Sequence, residues 1–331
     1  MGDVVSAFVT GATGFIGGRL IEALLERGVE VKALARDREK AFALQKLGIE
    51  TITGDITDRA SIKGALKGCD VLYQLGNVAS WWLKDKSIYY KVNVDGTKSI
   101  MLEALDAGVK KVVYTSSLAA IRQPRGEIAT EETRHKRDFE SHYGRSKFLA
   151  EREILEIHRE KGLPVIILNP GVVMGPGDLK TFGRTIIDLL NGRLKVRFFE
   201  DSMIPIVYID DVVKGHILAV EKGRIGDRYI LVGDNISIGN LFKLINRIAG
   251  APIPDRQIPP SLIKFIAHCL EVRSFFTGRP PKFAVDGLRA MEVGAAGSNS
   301  KAKRELGLGF TPLEEGFKKT IDWYKTNGYI F

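Results

Sequence analysis

Three closely spaced glycines follow directly after the apolar run Val4–Val9. The eight residues Thr10–Gly17 read Thr-Gly-Ala-Thr-Gly-Phe-Ile-Gly, and a helical pattern comes next. Gly11 permits a tight turn, Gly14 a close approach of a ligand to the backbone, and Gly17 close packing of helix on strand. This order of strand, glycine turn and helix is typical of a site for a dinucleotide pyrophosphate, which the N-terminus of the helix attracts. A turn with a purely structural role is the alternative.

Short β-branched runs alternate with amphipathic stretches over the first half of the chain. The predicted strands are 4–9, 30–35, 50–53, 71–75, 111–115 and 165–168, with a later strand at 228–232, and the predicted helices are 15–27, 37–47, 58–67, 86–107 and 143–161. This alternation predicts an α/β fold with a doubly wound parallel sheet and helices on both faces. Ligands bind such a sheet at the carboxyl ends of its strands.

After Pro170 and Gly171 the predicted strands and helices no longer alternate regularly. We therefore expect a dinucleotide-binding domain over 1–178, to which 207–235 returns, and a smaller substrate-binding lobe formed by 179–206 and 236–331. The amphipathic run 261–272 is expected to pack on its own lobe, and contact with a membrane is the alternative.

Composition excludes several classes of function. The net charge is +9, but the basic residues are spread along the chain and form no nucleic-acid motif. No apolar run approaches the ~18 residues of a membrane span. The two cysteines lie far apart and five histidines show no metal-ligand spacing. We expect a cytoplasmic protein with reduced thiols, no metal, no nucleic-acid partner and no stable membrane insertion.

Basic residues follow the second predicted strand, where an acidic residue usually bonds the 2′-hydroxyl of NAD. The strand ends at Ala35, and Arg36 and Arg38 come directly after it. A guanidinium group pairs well with the 2′-phosphate of NADP. The sequence therefore predicts a preference for NADP(H), with NAD(H) possible because Asp37 lies one position away. Asp55, after the third strand, is predicted either to bond the adenine amino group or to cap a helix.

Tyr143 and Lys147 are four residues apart in a helical pattern, so both lie on one face. An ammonium group one turn away is expected to lower the pKa of a tyrosine, which makes the pair a usable proton donor or acceptor. Ser116 and Ser117 follow the fifth strand, at the edge where ligands bind. A serine hydroxyl there is suited to hold a substrate oxygen, or to cap a loop or helix.

The glycine turn occurs together with several other short motifs. They are Thr115-Ser116-Ser117, Tyr143-Gly144-Arg145-Ser146-Lys147, Val92–Thr97, Asn169–Asp178, Val207–Val212, 226–231, and Ser300-Lys301-Ala302 with Glu305-Leu306-Gly307 and Trp323-Tyr324. Over nearly the whole chain this set resembles the extended short-chain dehydrogenase/reductases (the NAD-dependent epimerase/dehydratase family), which have a Rossmann-type fold. Within the family the chain is most similar to the dihydroflavonol 4-reductase-like branch, which includes the hopanoid-associated sugar epimerase-like proteins.

The resemblance implies roles for individual residues. Ser117, Tyr143 and Lys147 would be catalytic, with Asn93 supporting them, and Pro170 and Val172 would line the nicotinamide. The full predicted cofactor site comprises Gly11, Thr13, Gly14, Phe15, Ile16, Gly17, Arg36, Arg38, Asp55, Ile56, Leu75, Gly76, Thr115, Tyr143, Lys147, Pro170, Val172 and Val173.

Two stretches depart from the family pattern. Gln74-Leu75-Gly76 stands where many members have His-Leu-Ala, and we expect cofactor binding to survive this change. Met203–Tyr208 lacks the Arg-Asp pair that nucleotide-sugar epimerases commonly carry ahead of Val-Asp-Asp. The second departure favours a less polar substrate.

These observations predict an NADP(H)-dependent reductase of a ketone or aldehyde. The alternatives are a nucleotide-sugar epimerase or dehydratase that retains its cofactor, and an NADP(H)-binding sensor without turnover. The substrate would be a small molecule, and the protein a monomer or homodimer. Predicted pocket residues are Val78, Trp81, Trp82, Val173, Phe182, Ile206 and Phe275, although the tryptophans are equally suited to packing between lobes.

Overall fold

The computed structural model describes residues 5–121, 126–134 and 138–330. Within them the strands are β1 (Ser6–Thr10), β2 (Glu30–Ala35), β3 (Glu50–Thr53), β4 (Val71–Gln74), β5 (Lys111–Thr115), β6 (Val165–Pro170), β7 (Val172–Met174), β8 (Val196–Arg197), β9 (Met203–Tyr208), β10 (Arg228–Leu231), β11 (Asp234–Ser237) and β12 (Arg256–Gln257). The α-helices are α1 (Phe15–Leu25), α2 (Arg38–Gln45), α3 (Ser87–Tyr90), α4 (Thr97–Asp106), α5 (His142–Lys161), α6 (Thr181–Leu190), α7 (Ile209–Lys222), α8 (Ile238–Ala249), α9 (Pro260–Thr277), α10 (Val285–Val293) and α11 (Leu313–Thr326).

Seven strands form one parallel sheet in the order β10-β6-β5-β4-β1-β2-β3. One face is covered by α1, α2 and α7 around a shared apolar core, and the other by α4 and α5 around a second core. The predicted α/β fold with a doubly wound parallel sheet is confirmed. β1 lies between β2 and β4, so the strand order reverses there, and the carboxyl ends of β1 and β4 form the point at which ligands bind this fold.

Residues 58–67 do not form the predicted helix. Arg59–Ile62 alone is helical, as a single 3-10 turn. Asp58 caps the N-terminus of this turn by accepting a hydrogen bond from the Ala60 amide. Gly64 and Gly68 adopt φ angles of +73° and +79°, which a right-handed helix does not accept. The two glycines therefore end the helical pattern that the side chains suggested.

Residues 87–106 run as one helix in three parts. α3 leads into a π-helical segment, Lys91–Gly96, and α4 continues from it. A π segment accommodates one extra residue in the turn and is frequent at functional sites. This segment contains Asn93, one of the predicted site residues.

The remaining strands belong to two smaller sheets, one of order β11-β9-β7 and one of β8 with β12. Helices α6, α8 and α11 pack with the three-stranded sheet around a third core. Ile206, predicted to line the pocket, lies in β9 within this core and has no exposed surface. Its contact with a substrate stays a prediction, since this side chain belongs to an apolar core in the structure.

Both cysteines are free, Cys69 buried and Cys269 exposed. Over the part of the chain that the structure describes, no helix is sufficiently long and apolar to cross a bilayer. In the same residues, no three metal-ligating side chains come together as a cation site.

Candidate active site

The glycine turn between β1 and α1 packs tightly against the end of β4. Gly11 has a φ angle of +68°, and a Cβ atom there would lie 2.7 Å from the carbonyl carbon of Leu75. A Cβ atom on Gly17 would lie 2.1 Å from the carbonyl oxygen of Gly11. Neither position has room for a side chain. Glycine is therefore required at both, for the turn and for helix packing as the sequence predicts.

The first turn of α1 presents its backbone N–H groups outward. Gly14 is the N-cap residue, and no side chain among the described residues caps this terminus. Thr13 and Gly14 are exposed, whereas Phe15 and Ile16 are partly buried. The first amides of a helix lack partners within it and attract anions. The turn is therefore suited to a phosphate group, which fits the predicted pyrophosphate site.

Gln74 lies fully buried beneath this turn. Its Oε1 accepts a hydrogen bond from the Thr10 hydroxyl, and its Nε2 donates to the carbonyl of Gly76 at 3.1 Å. The Thr10 oxygen accepts from the amides of Leu75 at 3.1 Å and Gly76 at 2.9 Å. This network fixes the Leu75–Gly76 backbone beside the glycine turn. The departure from His-Leu-Ala therefore places a structural glutamine under the predicted cofactor path.

At the end of β2, Arg36 and Arg38 are exposed. Asp37 between them is the N-cap residue of α2, and its Oδ1 accepts a hydrogen bond from the Lys40 amide at 2.8 Å. The Lys40 ammonium lies 3.3 Å from the other carboxylate oxygen. The backbone hydrogen bond from Lys40 is the main cause that lowers the pKa of Asp37. The aspartate is thus engaged by its own helix, whereas both guanidinium groups face solvent.

Asp55, after β3, makes a local turn. Its Oδ1 accepts hydrogen bonds from the amide and the hydroxyl of Thr57, both at 2.8 Å. The predicted capping role of Asp55 is wrong, because Asp58 caps the short turn that follows. Contact with adenine stays a prediction. Ile56 is buried, and its side chain packs so closely on Gly96 that a Cβ there would lie 2.8 Å away.

Ser117 and Tyr143 meet at the carboxyl edge of the sheet. Ser117 follows β5 and caps a 3-10 turn, accepting from the Ala119 amide at 3.2 Å. Ser141 caps α5 through the Gly144 amide at 3.0 Å, which fixes Tyr143 on the first turn. Burial raises the pKa of Tyr143, and a hydrogen bond with the Ser117 side chain offsets part of this rise.

Lys147 is buried one turn further along α5. Its Nζ donates to the Thr115 carbonyl at 2.7 Å and to the Tyr114 hydroxyl at 3.1 Å. Burial lowers its pKa to about 7, opposed by the negative charge of Glu151. The predicted lowering of the Tyr143 pKa by Lys147 is wrong for this structure: the ammonium binds β5 groups, and the pKa of Tyr143 is raised.

Asn93 connects the segment after β4 to α5. Its Nδ2 donates to the Ser146 hydroxyl at 2.9 Å and to the Val78 carbonyl at 3.0 Å, and its Oδ1 accepts from the Val78 amide at 2.7 Å. Ser146 directly precedes Lys147 in α5. Asn93 therefore holds Val78 in place beside the helix that carries Tyr143 and Lys147, as expected for a supporting residue.

Sequence reasoning missed a buried polar group behind Ser117. The Glu151 carboxylate accepts a hydrogen bond from Asn169 Nδ2 at 2.6 Å and lies 3.1 Å from the Arg228 guanidinium. Asn169 also donates to the carbonyl of Ser117 at 3.0 Å. The signal was present in the sequence, because Glu151 follows Lys147 by four residues, as Lys147 follows Tyr143.

Trp81 joins the site to α10. Its ring lies edge-on to Tyr143 with 6.0 Å between centroids, and a Cβ on Gly287 would lie 3.2 Å from its Cγ. Trp81 is thus both a neighbour of Tyr143 and a packing residue. α10 is tied to α5 as well, because Asp286 accepts a hydrogen bond from the His142 amide at 3.0 Å.

The other predicted pocket residues lie in different surroundings. Val78 and Trp82 are partly buried in the segment that carries Trp81. Phe182 and Val173 pack against the third core, and Phe275 is 56% exposed on α9 with the Lys84 ammonium 5.2 Å from its ring centre. The structure therefore brings only Val78 and Trp81 into contact with the Tyr143 surroundings through described interactions.

Unpaired polar atoms mark the same edge of the sheet. Asn77 donates to the Thr115 carbonyl at 3.3 Å, but its Oδ1 and the Ser116 hydroxyl are buried with no hydrogen-bond partner among the described residues. Buried polar atoms are normally paired. Pro170 is buried at the end of β6, and Val172 is partly buried beside it. The edge thus offers polar atoms and an apolar wall, which fit a nicotinamide ribose and ring.

Comparison with known proteins agrees with this geometry. The profile of the NAD dependent epimerase/dehydratase family matches residues 7–233. The chain is 36% identical to "Sterol demethylase protein B" of Methylococcus capsulatus, over 98% of this chain and 100% of that protein. It is 32% identical to a "Putative dihydroflavonol 4-reductase" of Synechocystis, over 98% and 95%. The crystal structure of gox2253 superimposes with a TM-score of 0.82 at 35% identity, over 99% and 100% of the chains.

Proposed function

The chain belongs to the NAD dependent epimerase/dehydratase family, and we propose that it is an NADP(H)-dependent reductase that converts a ketone or aldehyde to an alcohol. The observation that carries this proposal is the pairing of Tyr143 with Ser117 on the edge of the sheet that also holds Lys147. The similarity to a putative dihydroflavonol 4-reductase supports it.

The cofactor would be held by the glycine turn, by the Leu75–Gly76 backbone and by Lys147. When bound, the dinucleotide supplies a hydride. The preference for NADP(H) rests on Arg36 and Arg38, whose exposed guanidinium groups suit a 2′-phosphate, and on Asp37, whose carboxylate is already bonded within α2.

Tyr143 would give its proton to the substrate oxygen. Its raised pKa keeps the hydroxyl protonated at neutral pH, which suits a proton donor in the direction of reduction. Ser117 would hold the same oxygen, and Lys147 would add positive charge beside the developing alkoxide. Proton transfer from a positioned side chain typically contributes ~10²–10⁴-fold to the rate.

The substrate is proposed to be a small molecule of low polarity, bound between the sheet edge and a lobe formed by 179–206 and 236–331. Trp81 next to Tyr143 offers an aromatic surface for it. The apolar strand β9 carries no charge that would recognise a sugar nucleotide diphosphate. We propose a monomer or homodimer as the working form.

A nucleotide-sugar epimerase or dehydratase that retains its cofactor is the second candidate. The description of the family includes such enzymes. In such a reaction Tyr143 would again be the residue that transfers the proton.

A panel of carbonyl compounds and nucleotide sugars tests the proposal, with NADPH absorbance as the readout. Stoichiometric loss of NADPH with a ketone or aldehyde supports a reductase. Conversion of a nucleotide sugar without net loss of NADPH would establish the second candidate instead. Tyr143→Phe should abolish turnover but still bind NADPH, and Tyr90→Phe, whose hydroxyl lies 3.0 Å from His142 Nδ1, is the matched control that should retain most turnover.

A further inference from the structure

Helix α9 carries apolar side chains on two opposite faces. On one face Ile263 and Ala267 are buried against Val285 and Leu288 of α10. A second row of residues, spaced by steps of three and four, is exposed: Leu262, Phe265, Cys269, Val272 and Phe276. We call this row the α9 apolar face.

The α9 apolar face is strongly exposed. The exposed fractions are 67% for Phe265, 61% for Val272 and 80% for Phe276. Steps of three and four residues align side chains along one side of a helix. Soluble monomers rarely expose a continuous apolar row of this kind, and such patches mark sites that contact a partner or a lipid surface. The predicted packing of 261–272 on its own lobe therefore describes only half of the helix.

The residues around this face carry positive charge. Residues 260–289 contain five basic side chains and two acidic ones. Both acidic groups are engaged, since Glu271 accepts from the Val285 amide at 2.9 Å and Asp286 is buried against His142. Within residues 260–289 the exposed basic residues are Arg273, Arg279, Lys282 and Arg289.

We propose that the α9 apolar face docks on the surface of an anionic lipid bilayer. Exposed phenylalanine and leucine side chains on the outer face of a surface helix, flanked by basic residues, bury in the interface of a membrane, and anionic lipids strengthen the binding. α9 lies on such a surface and does not cross it, since it has 18 residues and includes Lys264, Glu271 and Arg273.

A second copy of the chain is a poorer occupant. Pairing two α9 apolar faces would bring the two sets of Arg273, Arg279 and Lys282 together, and like charges within about 8 Å repel at physiological ionic strength. An anionic bilayer has the complementary charge. This docking surface is independent of the proposed reductase activity.

Flotation of the full chain with lipid vesicles tests the proposal. We expect binding to vesicles of phosphatidylcholine with added phosphatidylglycerol, and weak binding to phosphatidylcholine alone. Phe265→Ser with Phe276→Ser should lose binding. Phe42→Ser with Leu47→Ser removes apolar side chains that are 58% and 61% exposed elsewhere, and should bind as the parent does. Arg273→Gln, Arg279→Gln and Lys282→Gln together should weaken binding to anionic vesicles about a hundredfold.

A label on Cys269 gives a second measurement that needs no apolar substitution. Cys269 is exposed and Cys69 is buried, so a polarity-sensitive fluorophore should react at Cys269 and shift to shorter wavelength on anionic vesicles. Failure of the parent chain to float, or unchanged flotation of the Phe265 and Phe276 variant, would overturn the proposal. So would a dimer in size-exclusion chromatography that this variant alone disrupts, and so would equal binding to both kinds of vesicle.

Discussion

The side chain of Asn93 pairs with both backbone polar groups of Val78, accepting from its amide at 2.7 Å and donating to its carbonyl at 3.0 Å. Asn93→Ala would leave these two partly buried groups without their side-chain partner, which costs up to about 1–3 kcal/mol for each group. We expect a lower melting temperature and a raised KM for the carbonyl substrate, measured by thermal unfolding and steady-state kinetics.

Asn246→Ala is the control for Asn93. It removes one side-chain hydrogen bond, to the Ala251 carbonyl at 2.9 Å, at the end of α8. A control that changes KM as much as Asn93→Ala does would argue against a role for Asn93 at the site.

Adjacent glycines in α1 should differ sharply when changed to alanine. A Cβ on Gly17 would lie 2.1 Å from the Gly11 carbonyl oxygen, whereas a Cβ on Gly18 would lie 3.8 Å from the Ala12 oxygen. Gly17→Ala should displace the turn and abolish NADPH binding in a calorimetric titration. Gly18→Ala should bind normally and gain up to about 1 kcal/mol of helix stability. Equal binding of NADPH by the two variants would show that the glycine turn does not form part of the cofactor site.

The rate of carbonyl reduction should depend on pH through Lys147. We expect the rate to fall as pH rises through about 7, where this buried ammonium loses its proton. Glu151→Gln removes the negative charge that raises the pKa of Lys147, so the inflection should move to lower pH. Glu153→Gln, which removes a surface partner of Lys98, should leave the profile in place. An identical profile for all three proteins would show that Lys147 does not set it.

Lys147 should also affect how stability varies with pH. Its pKa falls from an ordinary 10.5 to about 7 on folding, so the unfolded chain binds more protons between these values. Stability therefore rises with pH across this window as the cost of burying a charge disappears. In Lys147→Met this contribution should vanish. Urea unfolding of both proteins from pH 6 to pH 10 should then show that the free energy of unfolding of the variant rises less steeply with pH. Parallel slopes would contradict the lowered pKa.

Exchange of both Arg36 and Arg38 for glutamine should weaken the binding of NADPH and leave the binding of NADH unchanged. Loss of a charge-assisted hydrogen bond costs about 1.5–3 kcal/mol, so we expect the KM for NADPH to rise at least about tenfold while that for NADH stays the same. Arg59→Gln with Arg247→Gln, which breaks surface pairs with Asp106 and Glu314 and also removes two positive charges, is the charge-matched control. An unchanged ratio of the two KM values would mean that these arginines do not select the cofactor.

The sequence predicts the central sheet well because buried parallel strands and turn glycines leave local signals. It could not predict the partners of Lys147, since Tyr114 and Thr115 lie on a strand that only the tertiary fold brings beside α5. It also could not predict the exposed row on α9. Apolar residues at helical spacing normally face a core, and α9 uses one apolar face for that purpose and leaves the other in solvent.

Because of the π segment Lys91–Gly96, the position of Asn93 depends on the number of residues in this helix as well as on their identity. Because such a segment holds one residue more than regular helical winding, deletion of a single residue there would restore an ordinary α-helix. The helix on either side would keep its orientation, because the deletion removes only the extra residue, but Asn93 lies inside the rewound turn and its side chain would move away from Val78. Insertions and deletions in this short stretch would therefore disable the site while the central sheet remained intact.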